Sequence, residues 1–133
     1  MSVRMKLSKI TILTALVFGL LMSVGAVLAY NGPYQYDAIV PSFGTPNWYS
    51  EPQTASGSAQ KSYVSSIGGG YDGDINGWIS NDNGSAISSS YDLYSGKTYY
   101  YNTSATSGSK VEWSMDTHFW VPVNVEVKGS WWS

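Results

Sequence analysis

The sequence predicts an all-β fold: an antiparallel β-sandwich of about seven short strands, preceded by the helix of a signal peptide. After residue 29 the strong helix formers almost disappear, with a single leucine and a single methionine among many Ser, Thr, Gly, Asn, Tyr and Val residues. This composition favours strands and turns. Apolar and polar residues alternate with period two in several stretches, and none shows the i, i+3, i+4, i+7 pattern of an amphipathic helix. Short strands separated by turn signals indicate a sandwich or a small barrel.

The first 29 residues predict a cleaved secretory signal peptide. Three basic residues within the first nine precede an uncharged stretch, residues 10–29, which ends in the small residue Ala29. An uncleaved membrane anchor is the alternative, because this stretch has about the ~20 residues that span a bilayer. We therefore predict one secreted domain, residues 30–133, extracellular or associated with the cell envelope. It would meet a membrane only through the signal segment before cleavage.

The charge of the predicted mature chain argues against nucleic-acid binding. Residues 30–133 contain four lysines, no arginine and nine acidic residues, which gives a net charge of −5. The field of such a domain repels polyanions and anionic lipid surfaces. The chain also lacks cysteine, which excludes thiol catalysis and disulfides. A small exported domain often depends on disulfides, so this one must be stabilised by packing, with aromatic rings supplying most of the buried area.

The clearest predicted strands lie near the end of the chain. In Val121–Val127 the four valines occupy alternate positions, and in Lys110–Asp116 the residues Val111, Trp113 and Met115 do the same, so each set would lie on one face of a sheet. A turn or bulge at residues 116–120 should separate the two strands, since Pro122 suits a strand start. Earlier strands are predicted at Tyr34–Val40, Lys61–Ile67, Ile75–Ser80, Ala86–Leu93 and Thr98–Thr103.

Turn signals separate these strands. Asn83-Gly84 and Ser95-Gly96 are good tight-turn pairs. The segment Gly44–Ala59 is predicted to be a long loop or an irregular edge. We find no internal repeat and no domain boundary beyond the signal junction.

No residue pattern indicates an enzyme. His118 is the only histidine and no Gly-x-Ser-x-Gly motif marks a nucleophile, so we interpret His118 as a strand-end or turn residue. The acids Glu112, Asp116 and Glu126 fall on the polar sides of two predicted strands. A solvent-exposed face explains them better than the paired carboxylates of a glycosidase.

One motif resembles the first half of a calcium loop: Asp72-Gly73-Asp74-Ile75-Asn76-Gly77. The twelfth position is Asn83 instead of a bidentate glutamate, and the flanks are not helix formers. A glycine-rich turn leading into a strand is the preferred interpretation. We predict neither a metal nor a cofactor.

The aromatic residues are the remaining candidates for function. Trp78 and Trp113 are assigned to the core by default. Trp131 and Trp132 are adjacent, and neighbouring strand residues point to opposite faces, so only one of them can lie in the core. The same holds for the run Tyr99–Tyr101. We take Tyr100, Trp120 and Trp132 as a candidate aromatic interaction surface.

Several weak motifs carry a resemblance to known proteins. They are Tyr34-x-Tyr36 followed by Pro41, a glycine-rich turn before Gly77-Trp78-Ile79, the run Tyr99–Asn102, and Val125-x-Val127-x-Gly129-x-Trp131. In these the chain resembles a family of small secreted proteins of Gram-positive bacteria. That family is classed as a domain of unknown function, and its genes often lie near bacteriocin-type ABC transporter genes. A weaker likeness is to the lactococcin-type unmodified bacteriocins, which pair a signal peptide with a cysteine-free, aromatic-rich β-domain.

These observations leave two functional hypotheses. The first is a secreted, non-catalytic β-domain, bacteriocin-like or transporter-associated, that contacts another protein or a cell-envelope component. The second is a carbohydrate-binding module that uses exposed Trp and Tyr side chains.

Overall fold

The computed structural model describes residues 29–133 and confirms the all-β prediction: two antiparallel sheets pack face to face. Within this range nine strands follow one another along the chain: β1 (Tyr34–Val40), β2 (Trp48–Tyr49), β3 (Gln53–Thr54), β4 (Ala59–Ile67), β5 (Ile75–Asn81), β6 (Tyr91–Asp92), β7 (Lys97–Asn102), β8 (Lys110–Thr117) and β9 (Val125–Trp132). Apart from Ala29, the predicted signal peptide, residues 1–29, lies outside the described part. Between residues 29 and 133 we find no helix of the length and apolarity needed to cross a bilayer.

The two sheets have different edges. The first sheet has the order β1-β9-β4-β7, and the second has the order β2-β8-β5-β6, with β3 also pairing to β8. The strand β1 is therefore an edge of the first sheet, while β2 and β3 together form an edge of the second. This agrees with the irregular edge predicted for Gly44–Ala59.

Strand β9 shows how alternating apolar and polar residues produce this fold. Every second residue of β9, from Val125 to Trp131, is buried, and the residues between them are exposed or partly exposed. Gly129 belongs to the buried set because β4 and β1 approach it closely. A Cβ at this position would collide with the carbonyl oxygen of Tyr63 and the hydroxyl of Tyr36.

The core lies between the sheets and is built around aromatic rings. Trp113 of β8 and Trp131 of β9 are its largest fully buried side chains. The rings of Tyr36 and Tyr101, from the first sheet, pack 5.9 Å and 5.8 Å from Trp113, measured between ring centroids. Each such ring buries roughly 150–250 Å², so these aromatic residues hold the sheets together without disulfides.

The predicted strand Ala86–Leu93 is wrong for most of its length. Only an isolated bridge at Ala86 and the two-residue β6 remain. The hydroxyl of Ser88 accepts a hydrogen bond from the backbone N–H of Ile79 at 2.9 Å. A serine side chain that bonds to backbone competes with the regular ladder, and this segment contains three consecutive serines.

The predicted strand Val121–Val127 begins too early. The strand β9 starts at Val125 and continues to Trp132. Val121 is buried, but it lies in a turn closed by its N–H and the carbonyl of His118 at 3.0 Å, and Val123 is exposed. Pro122 has no N–H for a ladder, so the chain forms a loop here and the valines do not share one face.

The interpretation of Glu112 and Asp116 as members of a solvent-exposed face is also wrong. Glu112 is buried, and one carboxylate oxygen of Asp116 is buried without a hydrogen-bond partner among residues 29–133. Burial raises the pKa of both carboxyls, and the neighbouring Asp82 and Glu51 raise that of Glu112 further. Glu126, in contrast, is exposed as expected.

Candidate functional site

A groove of about 280 Å³ opens between the edges of the two sheets. One wall is the edge strand β1, and the other is the β2–β3 edge of the second sheet. The groove is lined by Tyr34, Gln35, Tyr36, Asp37, Trp48, Ser50, Glu51, Gln53 and Trp131. We call this the edge groove.

The aromatic residues form the floor and part of the walls of the edge groove. Trp131 and Tyr36 are buried at the bottom, while Tyr34 and Trp48 are partly exposed above them. The ring centroids of Tyr34 and Trp131 are 5.4 Å apart, and those of Tyr36 and Trp48 are 6.1 Å apart. The two partly exposed rings therefore have fixed supports and can present an apolar surface to a ligand.

Four polar side chains on the rim are free to bind. Gln35, Asp37, Glu51 and Gln53 make no side-chain hydrogen bond to any residue between 29 and 133. Ser50 differs, because its hydroxyl accepts from the N–H of Trp113 at 2.9 Å and donates to the carbonyl of Glu51. Two amides and two carboxylates thus surround the apolar floor, and the residues that line the groove include no basic side chain.

The two walls are fastened to each other. The side-chain amide of Asn31 donates to the carbonyl of Thr54 at 2.8 Å, and the hydroxyl of Ser133 donates to the same carbonyl at 2.6 Å. Asn31 and Ser133 also exchange two backbone hydrogen bonds of 3.0 Å. Asn31 precedes β1 and Ser133 follows β9, both strands of the first sheet, whereas Thr54 belongs to the second. These bonds therefore join the two sheets beside the groove.

The phenol of Tyr36 takes no acid–base role at the floor. Burial raises its pKa above the usual value for tyrosine, and its hydroxyl donates to the carbonyl of Tyr63 at 3.1 Å. The Tyr36 hydroxyl therefore stays protonated, and its hydrogen bond to Tyr63 leaves no proton to donate to a ligand.

Two of the three predicted surface residues, Tyr100 and Trp132, lie on the outer face of the first sheet. Lys61 of β4 pairs with Tyr100 of β7 on one side and with Trp132 of β9 on the other. Two inter-strand spacings separate the aromatic pair, or about 10 Å. The Lys61 ammonium lies 4.5 Å from the centroid of the Trp132 ring and 4.7 Å from that of Tyr30, a cation–π arrangement.

The predicted division within the two aromatic runs is confirmed. Trp131 is 1% exposed, and Trp132 is half-buried on the opposite face. Likewise Tyr101 is buried, whereas Tyr100 is 62% exposed.

Trp120 lies at the other end of the molecule. It precedes the first residue of β9, whereas Trp132 is the last, and eight strand residues extend about 23 Å at roughly 3.3 Å per step. The structure therefore brings Tyr100 and Trp132 near each other and leaves Trp120 apart from them.

His118 lies beside Trp120, with ring centroids 4.4 Å apart. Its Nε2 is 3.1 Å from a carboxylate oxygen of Asp92. His118 follows β8 directly, as expected for a residue at a strand end. No side-chain hydroxyl in the range 29–133 is hydrogen-bonded to the imidazole.

The calcium-like motif forms a turn whose polar side chains have separate protein partners. Asp72 accepts hydrogen bonds from the hydroxyl of Ser95 at 2.8 Å, and Asp74 accepts one from the indole N–H of Trp120 at 3.2 Å. Gly73 supplies the positive φ, 83°, that the turn requires. Among residues 29–133 no three acidic or imidazole side chains are grouped as metal ligands.

Sequence reasoning did not find the edge groove. Its residues come from two edges that are separate in the sequence, and nothing in the local pattern shows that these edges face each other. The useful signal was the irregular segment Gly44–Ala59, which contains Trp48 between polar residues.

Comparison with known proteins identifies no relative: no family model, no curated protein and no solved structure matches the chain.

Proposed function

We propose that this protein is a secreted, non-catalytic binding domain whose edge groove binds a neutral carbohydrate. The observation that carries the proposal is the combination of partly exposed aromatic rings with four unengaged amide and carboxylate side chains. Sugar rings have apolar C–H faces that stack on aromatic rings and hydroxyl groups that bond to amides and carboxylates.

The size and charge of the groove support a short, uncharged glycan. Its volume, about 280 Å³, lies just below the roughly 300–1,000 Å³ of ligand pockets, so it suits one or two sugar units. Asp37 and Glu51 disfavour an anionic ligand by like-charge repulsion. Neutral sugars of the cell envelope, including N-acetylated amino sugars, satisfy both conditions.

Binding can be measured by calorimetry with short β-linked glucose and N-acetylglucosamine oligomers. Trp48→Ala should weaken binding about tenfold or more, because stacking on one ring contributes roughly 1.4 kcal/mol. Gln53→Ala tests the rim without disturbing the core, and Tyr100→Ala is the matched control outside the groove. Failure of every neutral oligomer to bind, or equal losses in Trp48→Ala and Tyr100→Ala, would contradict the proposal.

Export is part of this proposal and has its own test. The basic start, the apolar stretch and the Ala29-Tyr30 junction support cleavage before residue 30. N-terminal sequencing of protein recovered from the medium of a Gram-positive host should then begin at Tyr30. Protein that remains in the membrane fraction with an intact N-terminus would support the alternative of an anchor.

The second candidate is a bacteriocin-like protein that acts by contact with a protein of the envelope. The outward-facing Tyr100 favours it, because a tyrosine that is 62% exposed can bury its ring in a partner. In a growth-inhibition assay, Tyr100→Ala should then abolish activity while Trp48→Ala retains it. The reverse pattern would favour the groove.

A further inference from the structure

Four large apolar side chains are exposed together at one end of the sandwich, on the loops after β1 and before β9. We call these residues, Phe43, Phe119, Trp120 and Val123, the apolar tip. Their exposed fractions are 58%, 75%, 53% and 46%. None of them lines the edge groove. Contiguous exposed apolar surface of this kind marks an interaction site.

The two loops are bonded to each other, so their backbones are fixed before any partner binds. The N–H of Phe43 donates to the carbonyl of Val121 at 2.8 Å, and the N–H of Ser42 donates to the side-chain oxygen of Asn124 at 3.0 Å. The buried hydroxyl of Thr117 donates to the carbonyl of Pro41 at 2.6 Å. A surface already held in place loses little conformational entropy on binding.

The backbone of Phe43 gives independent support. Its φ is 57° and its ψ is 24°, and no other non-glycine residue between 29 and 133 has a positive φ. Side chains with a Cβ adopt this left-handed conformation only at an energetic cost. The ring recovers little of that cost by packing, because it remains mostly exposed. The left-handed conformation of Phe43 instead serves to hold its ring at the surface of the protein.

The chemistry of the tip indicates an uncharged partner. Residues 38–50 and 117–125 contain no Asp, Glu, Lys or Arg. Two acids near the tip are engaged: Asp74 accepts a hydrogen bond from the Trp120 indole, and Asp92 lies against His118. Phe and Trp on protruding loops match the border between lipid headgroups and chains, where an indole keeps its polar N–H near water.

We propose that the apolar tip inserts into the surface of an electrically neutral lipid bilayer. Insertion would be shallow, about 5–10 Å as for other interfacial elements, with Phe43 and Phe119 leading and Trp120 at headgroup level. The net charge of −5 for residues 30–133 opposes binding to anionic lipid, which makes a zwitterionic surface the preferred target. This proposal replaces the expectation from the sequence that the domain meets a membrane only through its signal segment, and it does not depend on a ligand in the edge groove.

The test uses the predicted exported form, residues 30–133, because the apolar residues 10–29 would themselves bind a bilayer. It is mixed with phosphatidylcholine vesicles that carry bromine at shallow or deep positions of the acyl chains. Bromine quenches nearby tryptophan, and Trp120→Phe identifies how much of the quenching comes from Trp120. We expect Trp120 to be quenched more by shallow bromine. The paired substitution Phe43→Asn with Phe119→Ser should raise the lipid concentration for half-maximal quenching about tenfold or more, since two rings no longer leave water.

Asparagine is chosen at residue 43 because it tolerates the left-handed conformation, so the variant should keep its fold. The control is Tyr100→Ser, an exposed ring elsewhere in the molecule, which should leave the quenching unchanged. Three outcomes would overturn the proposal: no quenching of Trp120, unchanged quenching in the paired variant, or stronger quenching on anionic phosphatidylglycerol vesicles.

Discussion

Alkaline pH should unfold this domain through two buried tyrosines, Tyr36 and Tyr101. Burial raises the pKa of both phenols above the usual value of about 10. The folded state therefore keeps both protons at pH values where the unfolded chain has lost them. Stability is unaffected below about pH 10 and falls as the pH rises beyond it, because the folded state then binds more protons than the unfolded state.

The slope follows from the number of such groups. Each tyrosine that stays neutral only in the folded state costs about 1.4 kcal/mol per pH unit, so the pair costs about 2.7 kcal/mol per pH unit above pH ~10. For a domain with a typical stability of about 5–15 kcal/mol, two pH units remove a large part of the total.

The assay is urea unfolding followed by tryptophan fluorescence at several pH values between about 8 and 12. Tyr101→Phe should halve the slope to about 1.4 kcal/mol per pH unit. At neutral pH it should cost about 1 kcal/mol, because the hydroxyl of Tyr101 loses its contact with Ser62 at 3.3 Å. A free energy of unfolding that is flat above pH ~10, or a slope unchanged in Tyr101→Phe, would refute this reasoning.

Two further predictions concern the packing of the sheets and the acid range. Gly129→Ala should destabilise the domain by about 4 kcal/mol or more, because the added Cβ would collide with the backbone of Tyr63. The control is Gly57→Ala, where no atom lies within 4 Å of the added Cβ, and its stability should be nearly unchanged. Thermal unfolding of the two variants tests this difference. Burial raises the pKa of Asp116. The folded state therefore binds this proton more tightly than the unfolded chain, and the protein should become more stable as the pH falls toward the usual aspartate pKa of about 4. Asp116→Asn should reduce that gain in a urea titration, and an identical pH profile would argue against the buried carboxylate.

Where alternation was regular, sequence reasoning placed the strands well. The predicted strand Tyr34–Val40 coincides with β1, and Lys110–Asp116 is one residue shorter than β8. These segments alternate because one face packs on the other sheet, so the burial pattern is present in the local sequence. The fold class depended on such segments and was predicted correctly.

The errors arose where hydrogen bonds from side chains or between loops replace the backbone hydrogen bonds between paired strands. Ser88 bonds to the backbone of Ile79 and interrupts the segment Ala86–Leu93, while Pro122 and the hydrogen bonds between loops move the start of β9 to Val125. Alternating valines alone could not distinguish a strand from a loop that buries one valine and exposes the next.

The candidate sites were harder to predict than the fold. The exposure of Tyr100 followed from alternation, but the edge groove depends on which edges of two sheets face each other. The apolar tip depends on hydrogen bonds between residues near 42 and residues near 121, which are far apart in sequence. Long-range pairing of this kind leaves no mark in a local window.

The position of β9 has a consequence for how the molecule assembles. The last of the nine described strands, β9, lies between β1 and β4, and Trp131 pairs with both Tyr34 and Ser62. Until β9 has been synthesised, the first sheet lacks the strand that joins β1 to β4. The second sheet and the pair of β4 and β7 can form before β9 is made, but β1 cannot join the first sheet until then. Because this pairing joins residues far apart in sequence, we expect it to be a slow step of folding.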